Sequence, residues 1–291
     1  MKSEVYDIIT DRIVSMLETG TCPWRRPWNR MTGYPQNFAS GRQYNGLNLF
    51  LLCTIGYEVP QFLTFNQVIE RKGTIKKGSK GMPIVYWKLL KSEQLDAKGE
   101  PKKVPLLRYY TVFNASQIEG ISFPTVPSRT GSTFEPLTEA ERIVSNWRHG
   151  PTISHGFAQA SYCPDTDTIQ MPSPSSFDSP HAYYATLFHE MGHSTGNKAR
   201  LARKQSGRFG SSDYSLEELV AEMTSAFLCA RSGIDNSTMP QQASYLASWV
   251  KALKGDPRLV VTAAGQAQKA ANLILGISYS DTDEQSQAVA A

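Results

Sequence analysis

The stretch TLFHEMGHSTG, Thr186–Gly196, constrains this 291-residue chain more than any other. His189 and His193 stand four positions apart, and on a helix such residues share one face. A helix here projects two imidazoles together, able to hold one metal ion. Glu190 lies beside that face, within reach of a water on the ion. This is the HExxH pattern, in which two histidines ligate and the glutamate serves as general base. Ser194, Thr195 and Gly196 then stop the helix, so a third ligand must arrive from elsewhere. The competing reading is an ordinary pair of half-buried histidines on an amphipathic helix.

The following helix supports the metal reading. In SLEELVAEMTSAFLCARSG, the residues Leu216, Leu219, Val220, Met223 and Phe227 form one broad apolar face. Glu218 and Glu222 are i and i+4 and share a second stripe with Cys229. Glu218 is assigned as the third ligand, leaving a fourth position for water. Glu222 is assigned to accept the spare ring N–H of a ligating histidine. Glu217, about 100° around the helix, is assigned to solvent. The ion expected in a His₂Glu site is Zn²⁺, although these ligands also accept another divalent metal such as Mn²⁺. Peptide hydrolysis needs a donor for the oxyanion. Tyr183, Tyr184, His181, Tyr214 and His155 all remain open for that part. A site kept only for folding, without hydrolysis, is the alternative.

The organisation of the chain is read from its breaks. SFPTVPSRTGSTFEP holds three prolines with Ser, Thr and Gly, and it continues neither a helix nor a central strand. The expected division is a first domain at 1–125, a linker at 126–136, a second domain at 137–280 and a fraying tail at 281–291. The first domain reads as α+β. An amphipathic helix in SEVYDIITDRIVSMLETG precedes a turn and an apolar helix in SGRQYNGLNLFLLCTIGY and a third helix in LTFNQVIERKG. Two strand-forming stretches follow, TIKKGSKGMPIVYWKLL and VPLLRYYTVFNA, with a polar connection, KSEQLDAKGEPKK, between them. The second domain reads as mainly helical with a small sheet. Two or three short strands flank the PDTDT turn, one helix precedes them and four follow. The whole is therefore α+β in two domains.

With 40% hydrophobic and 19% charged residues, the chain reads as globular and not disordered. No apolar run approaches the ~20 residues that span a bilayer, and the acidic start is not read as a secretory signal. Cys22, Cys53, Cys163 and Cys229 form no CxxC pair, which suits reduced thiols and a cytoplasmic location. Charge is divided unevenly. Residues 1–125 hold 17 Lys+Arg against 10 Asp+Glu, whereas residues 126–291 hold 13 against 16. The densest stretch, residues 71–108, carries 11 basic residues and three acids, interleaved with Tyr86 and Trp87 and followed by Tyr109 and Tyr110. Single-stranded nucleic acid is held by such basic grooves with aromatic faces for base stacking. Lys76, Lys77 and Lys80 are the expected phosphate contacts there, and glycines beside them let backbone N–H groups come close. A second cluster joins Trp24, Arg25, Arg26, Trp28 and Arg30, and Arg42 lies just beyond it. A solvated lysine-rich surface with tryptophans in the core is the competing reading.

These motifs carry a family resemblance. "AYYATLFHEMGHSTG" and "EELVAEMTSAFL" resemble a zincin-type metallopeptidase domain. "GTCPWRRPWN", "SGRQYNGLN", "FLTFNQVIERKGTIKKGSKGMPIVYWK" and "LLRYYTVFNASQIEG" resemble the N-terminal domain of ArdC-type antirestriction proteins. Together they cover roughly residues 3–275. The resemblance implies single-stranded DNA as the partner of the first domain and protection of incoming plasmid DNA from host restriction during conjugation. It brings host restriction proteins into view as further partners, and it supports zinc in the second domain.

Overall fold

The computed structural model describes residues 2–25, 34–95, 101–124, 136–205, 212–236 and 243–277. They fold as two compact units. One holds residues 2–8, 34–95 and 101–124; the other holds 9–25, 136–205, 212–236 and 243–277. The division differs from the one expected, because residues 9–25 go with the second unit. Packing explains this. On helix α1 (Lys2–Glu18), Ile9, Ile13, Val14 and Leu17 are buried, as is Trp24 beyond it. Their partners lie far along the chain. The Thr10 hydroxyl donates to the Pro257 carbonyl at 2.8 Å. Trp24 meets Trp249 edge-on, with ring centroids 5.5 Å apart. The expected linker and tail lie outside the described residues, apart from Pro136, which opens a helix.

The first unit is built on a four-stranded sheet in the order β1-β2-β5-β4. Strand β1 (Gln36–Asn37) runs parallel to β2 (Gln61–Thr64). Strands β4 (Met82–Leu95) and β5 (Pro101–Asn114) make a long antiparallel pair. They extend into the segment expected to be a polar connection, because ladder hydrogen bonds continue there without needing apolar side chains. Helix α2 (Gly46–Cys53) is tied to β4 through Asn48, whose amide donates to the Val85 carbonyl at 2.7 Å and accepts from its N–H at 2.6 Å. Helix α3 (Phe65–Glu70) starts at a capping box: Thr64 accepts from the Gln67 N–H, and the Gln67 side chain accepts in return. Its Val68 packs with Leu63 and Ile118. A short β3 (Thr74–Ile75) pairs with β6 (Ile118–Glu119).

In the second unit, helix α4 (Pro136–Asn146) precedes a three-stranded sheet in the order β7-β9-β8. Strands β8 (Ser161–Cys163) and β9 (Thr168–Met171) are antiparallel, and β7 (Thr152–His155) lies parallel to β9. Ile169 and Met171, two apart on β9, point into the core. Four helices follow: α5 (Pro180–Ser194), α6 (Ser212–Ser232), α7 (Ala243–Gly255) and α8 (Leu259–Leu275). Helix α5 begins where Ser179 caps the Ala182 N–H at 3.1 Å, with Pro180 in the first turn. Among the described residues no helix is long and apolar enough to cross a membrane, and all four cysteines are free thiols.

Helices α5 and α6 touch at Gly192. A Cβ built there would lie 2.9 Å from the Ala221 Cα and 3.2 Å from both the Ala221 carbonyl oxygen and the Thr224 Cβ. Backbone cannot yield as a side-chain end can. Gly192→Ala is therefore expected to push the helices apart and to destabilise the unit by about 1–3 kcal/mol. Thermal unfolding of the two proteins in EDTA checks this; equal midpoints would mean the helices have room to spare.

Candidate metal centre

The close approach at Gly192 sets Glu218 opposite the histidine pair. The Nε2 atoms of His189 and His193 are 3.1 Å apart. Glu218 Oε1 lies 3.4 Å from His193 Nε2, and its Oε2 lies 3.7 Å from His189 Nε2. Among the described residues, these three are the group whose donor atoms converge in a way that could hold a metal ion. Ligand bonds of ~2.0–2.2 Å in a tetrahedron put neighbouring donor atoms about 3.3 Å apart. The observed separations straddle that value, so the residues present fit a small divalent ion.

The electrostatics agree with the spacing. Burial disfavours a charged His193, yet the hydrogen bonds its ring N–H groups donate to Glu217 and Glu218, with the charges of Glu218 and Glu190, outweigh it and push its pKa up to about 10. Burial alone would raise the Glu218 carboxyl; the facing histidines hold it below the usual carboxylate range. Acids thus surround the imidazoles and favour a cation between them.

Glu217 overturns its assignment to solvent. It is buried, and its Oε1 lies 3.3 Å from His193 Nδ1, which turns Nε2 toward the centre. Arg203 holds it in turn: Nε donates to Oε2 at 2.9 Å and Nη2 to Oε1 at 2.8 Å. The same guanidinium donates to the Gly192 carbonyl at 2.9 Å and to the Thr195 hydroxyl at 2.7 Å, binding the end of α5. Backbone hydrogen bonds from Leu201 to Thr195 and from Arg203 to Gly196 wind the intervening segment so that Arg203 reaches back. No helical or strand periodicity marks Arg203 in the sequence.

Glu222 is placed otherwise than expected. No hydrogen bond joins it to either histidine among the described residues. Its carboxylate accepts from Arg25 Nη2 at 2.7 Å and Nε at 3.4 Å, and from the Tyr245 hydroxyl. The cause of the exchange is burial on every side. Residues 219 to 229 of α6 are all buried, so the helix has no wet face there and Glu222 must find a cation.

Glu190 differs from both. It is only 7% exposed, and no hydrogen bond to it is found among the described residues. Its charge is felt by His193. Of the five oxyanion candidates, Tyr183 is bonded to His155 at 2.9 Å, Tyr184 to Glu141 at 2.6 Å, and His181 to the Asp235 N–H at 2.8 Å. Tyr214 alone interacts with the metal-site residues: burial and the adjacent Glu218 raise its hydroxyl pKa.

The expected DNA contacts divide. Trp24 is fully buried and Arg25 is paired with Glu222, so these two are corrected from DNA contacts to core and ion-pair residues of the second unit. Arg26, Trp28 and Arg30 lie outside the described residues. Arg42, Lys76, Lys77 and Lys80 are exposed on the first unit. The last three sit in one turn between β3 and β4, where Gly78 adopts a φ of 84° that other residues rarely take. Tyr109 is 45% exposed, whereas Tyr86 is buried against Tyr110. Exposed Phe65 and Ile69 on α3 carry no polar signal that would single them out in the sequence.

A two-histidine, one-glutamate centre on adjoining helices, beside a small sheet, defines the second unit as a zincin-like metallopeptidase domain. Residues 138–266 match the family described by that name, and residues 3–113 match the N-terminal domain of anti-restriction factor ArdC. A protein from Sinorhizobium fredii (strain NBRC 101917 / NGR234), y4eC, is 37% identical, covering 93% of this chain and 91% of its own length. A DNA primase TraC of Escherichia coli is 36% identical over 98% of this chain, which spans only 28% of that primase. The crystal structure of antirestriction protein ArdC from plasmid R388, metal-free, is 36% identical with a TM-score of 0.73, covering 94% of this chain and 99% of that one. A Mn(II)-bound structure of the same ArdC gives an equal TM-score and covers 97% of that chain. The chain belongs to the ArdC antirestriction family.

Proposed function

We propose that the second unit is a metal-dependent peptidase centre in which His189, His193 and Glu218 hold a divalent cation and Glu190 is the general base. The carrying observation is the convergence of three donor atoms together with a sheltered carboxylate that no donor holds among the described residues. A bound cation supplies Lewis acidity to a water and to the scissile carbonyl. Glu190 takes the proton of the attacking water and returns it to the leaving amine. Glu217 keeps the His193 ring turned, and Tyr214 donates to the oxyanion. Zn²⁺ suits this donor set best, and Mn(II) in the related ArdC supports a site tolerant of more than one ion. Metal titration with peptidase assays on an unstructured protein such as casein tests the reading. Metal-dependent cleavage is expected, and none with Zn²⁺, Mn²⁺ or Co²⁺ would refute it.

The first unit, in the same proposal, binds single-stranded DNA in a cytoplasmic setting and shields entering plasmid DNA from restriction; host restriction proteins are the substrates considered first. The exposed lysines at 76, 77 and 80 with Arg42 supply charge, and Tyr109 supplies a stacking face. Replacing the three lysines by alanine is expected to reduce the slope of log affinity against log salt by about 2, at ~0.7 per phosphate contact. Fluorescence anisotropy with labelled oligonucleotides at several salt concentrations measures it. An unchanged slope would remove this turn from the interface.

A further inference from the structure

We infer that Arg25 is a positioning residue for the metal centre, acting through Glu222 on helix α6. The inference rests on the metal-site reading above. Glu222 is one helical turn beyond the ligand Glu218 and shares its face. Its carboxylate is gripped from outside α6 by the forked guanidinium of Arg25 and by the Tyr245 hydroxyl. The Arg25 guanidinium in turn lies 4.8 Å above the centre of the Tyr245 ring. The Arg25 and Glu222 side chains are 11% and 8% exposed. Neighbouring contacts hold the arginine's own chain segment: the Asn236 side chain donates to the Trp24 carbonyl at 2.8 Å, and the Trp24 ring meets Trp249.

This grip helps to fix how α6 is turned about its own axis. Gly192 against Ala221 sets the distance between α5 and α6, and the Ser225 hydroxyl, donating to the Ala185 carbonyl at 2.8 Å, ties the same pair; the grip on Glu222 is the tie one turn from Glu218 that comes from outside α5. A functional side chain tolerates only ~0.5 Å or 10–20° of misplacement. Rotation that moves Glu222 carries Glu218 with it. Charge adds a second effect. Burial opposes the Glu222 anion, while the charges of Arg25 and His189 favour it. A residue in the N-terminal stretch, 193 positions before Glu218, thereby sets the geometry of the ligand cage.

The test uses the full chain as wild type, Arg25→Met, Arg25→Lys and Glu222→Gln. Mn(II) and Zn(II) affinities are measured by chelator competition, the Co(II) absorption spectrum is recorded, and unfolding is followed in EDTA. The expected result is affinity about tenfold or more weaker in Arg25→Met, with an altered Co(II) spectrum and the three ligands intact; outer partners of metal ligands commonly act on this scale. Arg25→Lys keeps the charge without the fork and recovers part of the loss. If Arg25→Met lowers only the EDTA melting temperature and binds metal like wild type, the inference falls and the metal reading stands. If wild type binds no divalent metal, both fall. Should Arg25→Met not fold, Glu222→Gln is judged by the same criteria, with wild-type affinity and spectrum overturning the proposal.

Discussion

Glu190→Gln is expected to lower metal-dependent peptide hydrolysis by about 10²–10⁴-fold, the range by which a positioned general base contributes. Metal affinity should stay close to wild type, because Glu190 is not one of the three converging donors. The amide keeps size and burial but cannot take a proton, so the variant separates chemistry from binding. Two measurements decide it: cleavage rate with saturating Zn²⁺ or Mn²⁺, and metal affinity by chelator competition. Equal rates in variant and wild type would assign the cleavage to another group or a contaminant. A variant that loses both metal and activity would place Glu190 among the ligands.

Arg203→Met should have the largest effect on stability. Burial raises the Glu217 carboxyl, and Arg203 with His193 bring it below the usual carboxylate range. Removing the guanidinium strands a buried anion, which typically costs about 3–5 kcal/mol. For a unit of this size that is a fall in melting temperature on the order of 10 °C. Metal affinity should fall too, since Glu217 would no longer be held on His193 Nδ1. The double variant Arg203→Met with Glu217→Leu distinguishes the two effects. It should regain most of the stability, because an apolar pair can replace a buried ion pair, without regaining the affinity. A single variant that melts like wild type would show that Glu217 is held adequately by His193 and by the Gln205 amide, which donates to its Oε1 at 3.4 Å.

Much of this was legible in the linear chain. Periodicity marked α2, α3, α5 and α6 and the β8–β9 hairpin around the PDTDT turn. The i,i+4 rule put His189 and His193 on one face and nominated Glu218 on the next helix. The same rule failed one residue away. It reserved a wet face for Glu217, but α6 is buried on nearly all sides. Helix spacing says which side chains point together; it does not say what lies opposite. Trp24 and Arg25 show the converse error. A tryptophan beside arginines looks like a nucleic-acid contact, and the same residue types equally build a core with an internal ion pair.

The sequence by itself determined which donor groups stand together on one helix. Residue type and spacing decide which donor atoms one helix can project together, and that is a local matter of φ and ψ. It also determined the two-part character of the chain, since prolines and charge imbalance are properties of composition. Only the tertiary structure decided which acid serves which cation: Glu217 to Arg203 and His193, and Glu222 to Arg25. Those pairings join residues from 14 to 197 positions apart. Burial forces every such charge to find a partner, but which partner depends on how the helices pack, and packing is settled by the whole chain at once.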